Sequence, residues 1–235
     1  MNPEQLASGL VYYVAFLFST TVHEAAHAWA AKLGGDLTAY HGGQVSLDPR
    51  PHVQREPFGM VFLPLISTLV TGWPFGYASA PYDPHWAMRH PRRAAWMAVA
   101  GPASNLALAL LAVLLIRIGV FAGGFFAPET ARVGLIVGSI DGGLWPGPAH
   151  LVSAMFTMNL VLTCLNILPV PPLDGSAAVM LFLRKSAALT YQQFLWTNPM
   201  LGVVGMLAAW QAFDVVFDPI FWAAVSPIYP GTAYS

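Results

Sequence analysis

His23-Glu24-Ala25-Ala26-His27 stands two-thirds of the way along residues 7–33, a stretch that is otherwise apolar and holds no proline. At about 1.5 Å per residue, such a stretch is long enough to cross a bilayer as a helix. Three ionisable side chains therefore fall inside a membrane span. On a helix, positions 23 and 27 lie one turn apart on the same face. Two imidazoles at that spacing can converge on one ion, while the Glu24 carboxylate sits to the side as a base for the water that ion activates. The plainer alternative is two histidines and an acid satisfied by neighbours in a polar bundle core. Ionisable groups at membrane depth are costly and usually mark function, which favours the metal.

The rest of the chain fits a membrane setting. Of 235 residues, 56% are hydrophobic and 9% charged, with a mean hydropathy of +0.58, whereas a soluble domain carries about 25% charged residues. The composition is that of an integral membrane protein whose surroundings are the lipid bilayer. A net charge of -1 argues against nucleic acid as a partner. Cys164 is the single cysteine; in an apolar run it reads as core filler, with no intrachain disulfide partner. Met1-Asn2-Pro3-Glu4-Gln5 lacks the basic region of a cleavable signal, so the first apolar stretch is expected to persist in the mature protein.

Gly34-Gly35 ends the first helix. After a glycine turn, Gly43-Gln44-Val45-Ser46-Leu47 alternates and predicts a short strand. Residues 58–76 carry Pro64, Gly72, Pro74 and Gly76, which argues against one straight crossing and for a re-entrant segment beside the metal site. Spans follow at 94–120 and 151–168, while residues 133–140 are too short to cross alone. Pro169-Val170-Pro171-Pro172 breaks the chain, a short helix runs from Asp174 to about residue 183, and a last apolar region, 199–225, has a kink or break near Pro219. The expected fold is an all-α polytopic membrane protein of about four to six transmembrane or re-entrant segments, with a short β element after the helix of His23. One domain covers residues 1–235, with its core at about 7–185 and an additional membrane segment at 194–226. With the N-terminus outside, all ten basic residues except Arg117 and Arg132 fall on the cytoplasmic side, as the bias of Lys and Arg requires.

A catalytic zinc takes three protein ligands and keeps a fourth position for water. Position 33, where a third histidine would follow His27, is Leu33. Glu56 and Glu129 lie in loops near proline. Asp36, Asp48, Asp83 and Asp141 have turn-type neighbours and read as solvated acids, and Asp214 and Asp218 read as interfacial. Asp174 is different, because the prolines before it force an extended passage into a new helix. It can serve as an N-cap, as a ligand, or as both, and Asn166, eight residues earlier at the end of an apolar span, is left without a role by capping alone. His41 and His52 read as loop or interface histidines, and His85, His90 and His150 as exposed loop positions.

Three motifs in this order, each on an apolar segment, resemble the site-2 protease family of intramembrane zinc metalloproteases. His23-Glu24-Ala25-Ala26-His27 fits its HExxH helix, Ala100-Gly101-Pro102-Ala103-Ser104-Asn105 its AGPxxN segment, and Asn166 through Gly175 its NxxPxxPxDG segment. The length points to the compact prokaryotic branch without PDZ or CBS domains. The resemblance implies one Zn2+ per chain held by His23, His27 and Asp174, with Glu24 as catalytic base and Asn166 as a polar helper near the scissile carbonyl. Asn105 reads as a packing and hydrogen-bonding residue. Two departures, Asp48-Pro49-Arg50-Pro51-His52-Val53-Gln54 in place of NPxxHxD and Ser79 in place of a lysine, bear on loop contacts. The implied activity is hydrolysis within or near the transmembrane helices of protein substrates at a prokaryotic cytoplasmic membrane, with the site toward the cytoplasm. The edge at Gly43, Gln44 and Val45 is expected to hold the unwound substrate by strand addition. A non-catalytic scaffold of the same fold and a zinc transporter are the rival readings.

Overall fold

A computed structural model describes residues 3–140 and 142–232; Asp141 and the extreme ends of the expected 1–235 unit lie outside the described residues. The chain opens with α1 (Pro3–Leu33), which carries Lys32 in its last turn. Gly34 and Gly35 end it, and Gly35 takes a φ of 93° that suits only glycine. The orphan carbonyl of Gly34 accepts from the Trp86 indole at 2.9 Å and from Arg93 at 3.1 Å, which satisfies the helix end.

Two short helices follow, α2 (Thr38–His41) and α3 (Pro49–Arg55), the latter capped by Asp48. The β element lies later than the alternation suggested. Residues 43–47 form a turn and bends, because Gln44 is buried and the His52 ring, also buried, donates to Ser46 O at 3.0 Å and pins the loop. Asp36 is likewise buried, accepting from Thr38 and from the Asp83 backbone.

A π-helical turn, Phe58–Phe62, leads into α4 (Leu63–Thr71). Together they make Phe58–Thr71, about 21 Å long and short of the roughly 30 Å hydrocarbon core. Residues 72–83 then run without regular structure. Tyr77 N donates to Gly59 O at 3.1 Å, and a side chain at Gly76 would strike Gly59 O, Phe16 and Pro64. Bare backbone at both glycines seats this strap against the bundle.

Then come α5 (Pro84–Arg89) and α6 (Pro91–Phe121). A two-stranded antiparallel ribbon pairs β1 (Phe125–Phe126) with β2 (Gly138–Ser139), in register Phe125 with Ser139. The chain continues through α7 (Pro146–Asn166), α8 (Asp174–Ala178), a 3-10 turn Val179–Phe182, α9 (Lys185–Thr197) and α10 (Met200–Val225). Helix α10 runs through Pro219 without a break. Helix α9 was not foreseen, since its mixture of Lys185, Thr190 and two glutamines gives no sustained apolar run.

Among the described residues, four helices are long and apolar enough to cross a membrane: Gln5–Leu33, Pro91–Phe121, Pro146–Asn166 and Met200–Ile228. Helices α1, α6 and α7 pack mutually. Their contact faces are small: Ala15, Ala28, Ala95, Ala98, Ala109, Ala112 and Ala154 are buried, while Leu106, Leu110, Leu114 and Ile118 point outward. In lipid the apolar effect does not drive helices together, so close backbone approach through small residues does. Helix α10 joins α7 through Phe217, Phe221 and Val225 against Phe156, Leu160 and Cys164.

Gly72 and Gly76 separate two effects. Gly72 has φ 79° with open space around it, whereas Gly76 is sterically enclosed. Gly72→Ala should lower stability in detergent by about 1 kcal/mol through backbone strain. Gly76→Val should cost about 1–3 kcal/mol through overpacking, and thermal unfolding of both proteins is the measurement.

Candidate metal centre

His23, Glu24 and His27 are buried on α1. Asp174 reaches them from the far side, across some 150 positions of chain, because the proline-rich turn delivers α8 against α6. The two imidazole Nε2 atoms are 2.9 Å apart. Asp174 Oδ2 lies 3.0 Å from His23 Nε2 and 3.3 Å from His27 Nε2. Leu173, not Asp174, occupies the N-cap of α8 and no side chain caps that helix, so the carboxylate turns to the imidazoles and the capping alternative falls away.

The hydrogen bonds behind the rings decide what the rings present. His27 Nδ1 faces Met97 O at 2.7 Å; a carbonyl only accepts, so Nδ1 carries a proton and Nε2 is the ring atom turned to the site. His23 Nδ1 faces Asn105 Oδ1 at 2.5 Å. The Asn105 amide nitrogen donates to Ser19 O at 3.2 Å and to Asn159 Oδ1 at 2.9 Å, which makes the atom facing His23 its oxygen. His23 Nε2 is therefore also the ring atom turned to the site. Two imidazole nitrogens and a carboxylate oxygen converge there, a donor set that fits a cation.

The donor set suits zinc. Zinc bonds of about 2.0–2.1 Å in a tetrahedron place ligand atoms about 3.3 Å apart, within a few tenths of an ångström of the separations seen. Two imidazoles and one carboxylate leave a fourth position open, as catalytic sites do.

Helix α6 supplies the second wall along one face. Met97 gives the carbonyl for His27, Asn105 gives the amide for His23, and between them Gly101 lies bare over both rings, where a Cβ would collide with His23 Nε2 and His27 Nε2. The Gly-Pro pair thus has a steric purpose: only glycine leaves the space into which the ligand atoms point.

Glu24 is 4% exposed and its Oε2 has no hydrogen-bond partner. Its carboxylate and the two imidazoles offer ligand atoms within 4.8 Å of one another. A buried acceptor left open beside a metal site is what a base needs. A cavity of about 830 Å³ opens onto this group and is lined also by Asn166, by Tyr77 to Ala80 of the strap and by Gln192 of α9. Asn166 donates to Leu162 O at 3.0 Å, which uses one of its two N–H groups.

Gly43, Gln44 and Val45 do not line this cavity. Val45 belongs to a separate groove on the other face of α1, with Val22, Ala25, Ala26 and Trp29, so the substrate-holding role expected of the three has neither a strand nor the right position. Asp214 and Asp218 are exposed on α10. His150 is helical and pairs with Ser8 Oγ at 3.1 Å. Reasoning from sequence missed Asn159 altogether; a polar residue two helical turns before Asn166 in an apolar run was the available signal.

Comparison with known proteins places these residues in a wider group. The profile of peptidase family M50 matches residues 11–207. A Bacillus subtilis protein named "Putative zinc metalloprotease YwhC" is 33% identical over 163 residues, 69% of this chain and 64% of the relative; the chain thus spans just under two-thirds of that protein. A Mycobacterium tuberculosis protein named "Putative zinc metalloprotease Rip2" is 30% identical over 213 residues, 86% of this chain and 72% of the relative, in one strain, and 32% identical over the same coverage in another. No solved structure matches significantly.

Gly101→Ala tests the ligand geometry. Alanine is the better helix former, so helicity by circular dichroism should be unchanged, while the new methyl occupies the space between the imidazoles. Zinc content of the purified variant should fall to background.

Proposed function

The chain belongs to peptidase family M50, as the three site-2 protease motifs anticipated, and on that footing we propose that it is an integral-membrane zinc metalloendopeptidase that cuts protein substrates within or near their transmembrane helices. The observation that carries the proposal is the buried Glu24 carboxylate, its Oε2 without a hydrogen-bond partner, beside the converging His23, His27 and Asp174. His23, His27 and Asp174 would hold the ion, which when bound supplies a Lewis acid and lowers the pKa of a water to about 7.

Glu24 takes the proton from the attacking water and delivers it to the leaving amine. Its burial keeps competing water away and its lack of a partner keeps it free to act. Asn166 has an N–H left to donate to the oxyanion as charge develops on the scissile carbonyl. The strap and α9 form the opposite walls of the cavity, where the substrate lies. A helical peptide bond is shielded by its own hydrogen bonds, so the target segment unwinds before Glu24 can reach it.

His23 is ten residues from Leu33, about 15 Å along the axis, so the chemistry takes place below the headgroups. With the N-terminus outside, Lys32 and the basic residues of α3, α5 and the start of α6 lie on the cytoplasmic side of a prokaryotic inner membrane.

Two variants test the assignment against a scaffold that merely retains the ligands. Glu24→Gln should keep zinc and lose cleavage of a model transmembrane substrate by about 10²–10⁴-fold; a scaffold would show no difference between the two proteins. Asn166→Ala should lower kcat by about 10²-fold with a smaller change in KM, read from the same cleavage assay in detergent micelles.

A further inference from the structure

We propose that Asn159 is a positioning residue of the metal centre, acting through Asn105 to set the proton on His23. The proposal rests on the zinc reading above. Asn159 lies within α7 and is 0% exposed, as is Asn105. It touches neither imidazole nor carboxylate, yet two consecutive hydrogen bonds lead from it to the ligand.

The polarity of that chain starts from a group that cannot change. Asn159 Nδ2 donates to Met155 O at 2.8 Å, and a backbone carbonyl accepts only. The other end of the Asn159 amide, its oxygen, then faces Asn105 and demands a donor. Asn105 answers with its nitrogen at 2.9 Å, and its oxygen turns to His23 Nδ1 at 2.5 Å. The ring is held with Nδ1 as the protonated nitrogen and Nε2 turned to the site, the orientation a metal requires. Ser19 O, at 3.2 Å, takes the second Asn105 proton, so each N–H of this amide has one acceptor. Removing the Asn159 oxygen leaves a buried donor with nothing to bind. The Asn105 amide then has a reason to rotate, which would disengage or reverse its bond to His23.

Zinc affinity measured by chelator competition on the intact protein in detergent reads this directly. Asn159→Leu, close in size but without polar atoms, should bind zinc about 10–100-fold more weakly, the usual effect of losing an outer partner of a metal ligand. Asn159→Asp provides the rescue. At this depth the acid stays neutral, its hydroxyl donates to Met155 O and its carbonyl accepts from Asn105, so zinc affinity should stay near native. In 15N-histidine spectra of the zinc-loaded protein, the His23 Nδ1–H should keep its native shift in the Asp variant and lose it in the Leu variant. Phe156→Leu, in the cluster shared with α10, should lower thermal stability and leave zinc affinity unchanged.

Native affinity in Asn159→Leu, or equal losses in the Leu and Asp variants, would overturn the inference. If the Leu variant does not fold, the Asp variant decides alone: near-native affinity and His23 shift support the relay, and loss of either refutes it. His23→Ala run alongside keeps the two readings apart. Undiminished zinc binding in that variant would defeat the metal centre itself, whereas its loss together with native binding in Asn159→Leu defeats only the role of Asn159.

Discussion

Two imidazole nitrogens and a carboxylate oxygen facing one another at membrane depth constitute the constraint on which everything else depends. His23 Nε2, His27 Nε2 and Asp174 Oδ2 lie 2.9–3.3 Å apart, and each ring is oriented from behind, His23 by Asn105 and His27 by Met97 O. Such a cluster is a ready site for a cation. The fold holds the three groups together by distributing them over two distant segments braced by a third.

Helix α6 is the brace. Its Met97, Gly101 and Asn105 follow one another at one-turn intervals, so a carbonyl, an empty space and an amide fall on a single face. The Asn105 amide also ties α1 to α7 through Ser19 O and Asn159. Polar groups in hydrocarbon must find their partners inside the protein, and here that requirement and the requirement for rigid ligands are met by the same bonds. The small residues along α1, α6 and α7 serve both ends: they let backbones approach closely, and close approach is what lets short amides bridge three helices.

Around this rigid centre the walls of the cavity are built differently. The strap is held at Gly59 and Gly76 by backbone contact, and α10 comes against the proline turn only because Gly205 leaves room for Pro171 O. Ring contacts such as Phe75 with Trp210, at 6.2 Å between centroids, join strap to helix with little buried surface. The candidate ligands and Glu24 thus sit on packed helices while the other cavity walls rest on a loop and on helices joined loosely to the core, a division that suits the proposed admission and unwinding of a substrate.

The sequence by itself determined the membrane class, the four long helices and the His23, Glu24 and His27 group, because helical spacing and apolar length are local properties that neighbours in sequence fully express; Asn105, Asn166 and Asp174 became residues to watch through their place in motifs resembling the site-2 protease family. The position of the β element, the burial of Asp36 and His52, the existence of α9 and the part of Asn159 were decided only by the tertiary structure. A five-residue alternation at 43–47 carries little preference of its own, and a buried His52 bonded to Ser46 O overrides it. Likewise no run of residues reveals that the Asp174 carboxylate faces imidazoles rather than its own helix, or that the Met97 carbonyl orients His27. Those facts belong to the meeting of segments 70 to 151 positions apart, where the available partner, and not the residue type, settles what each polar group does.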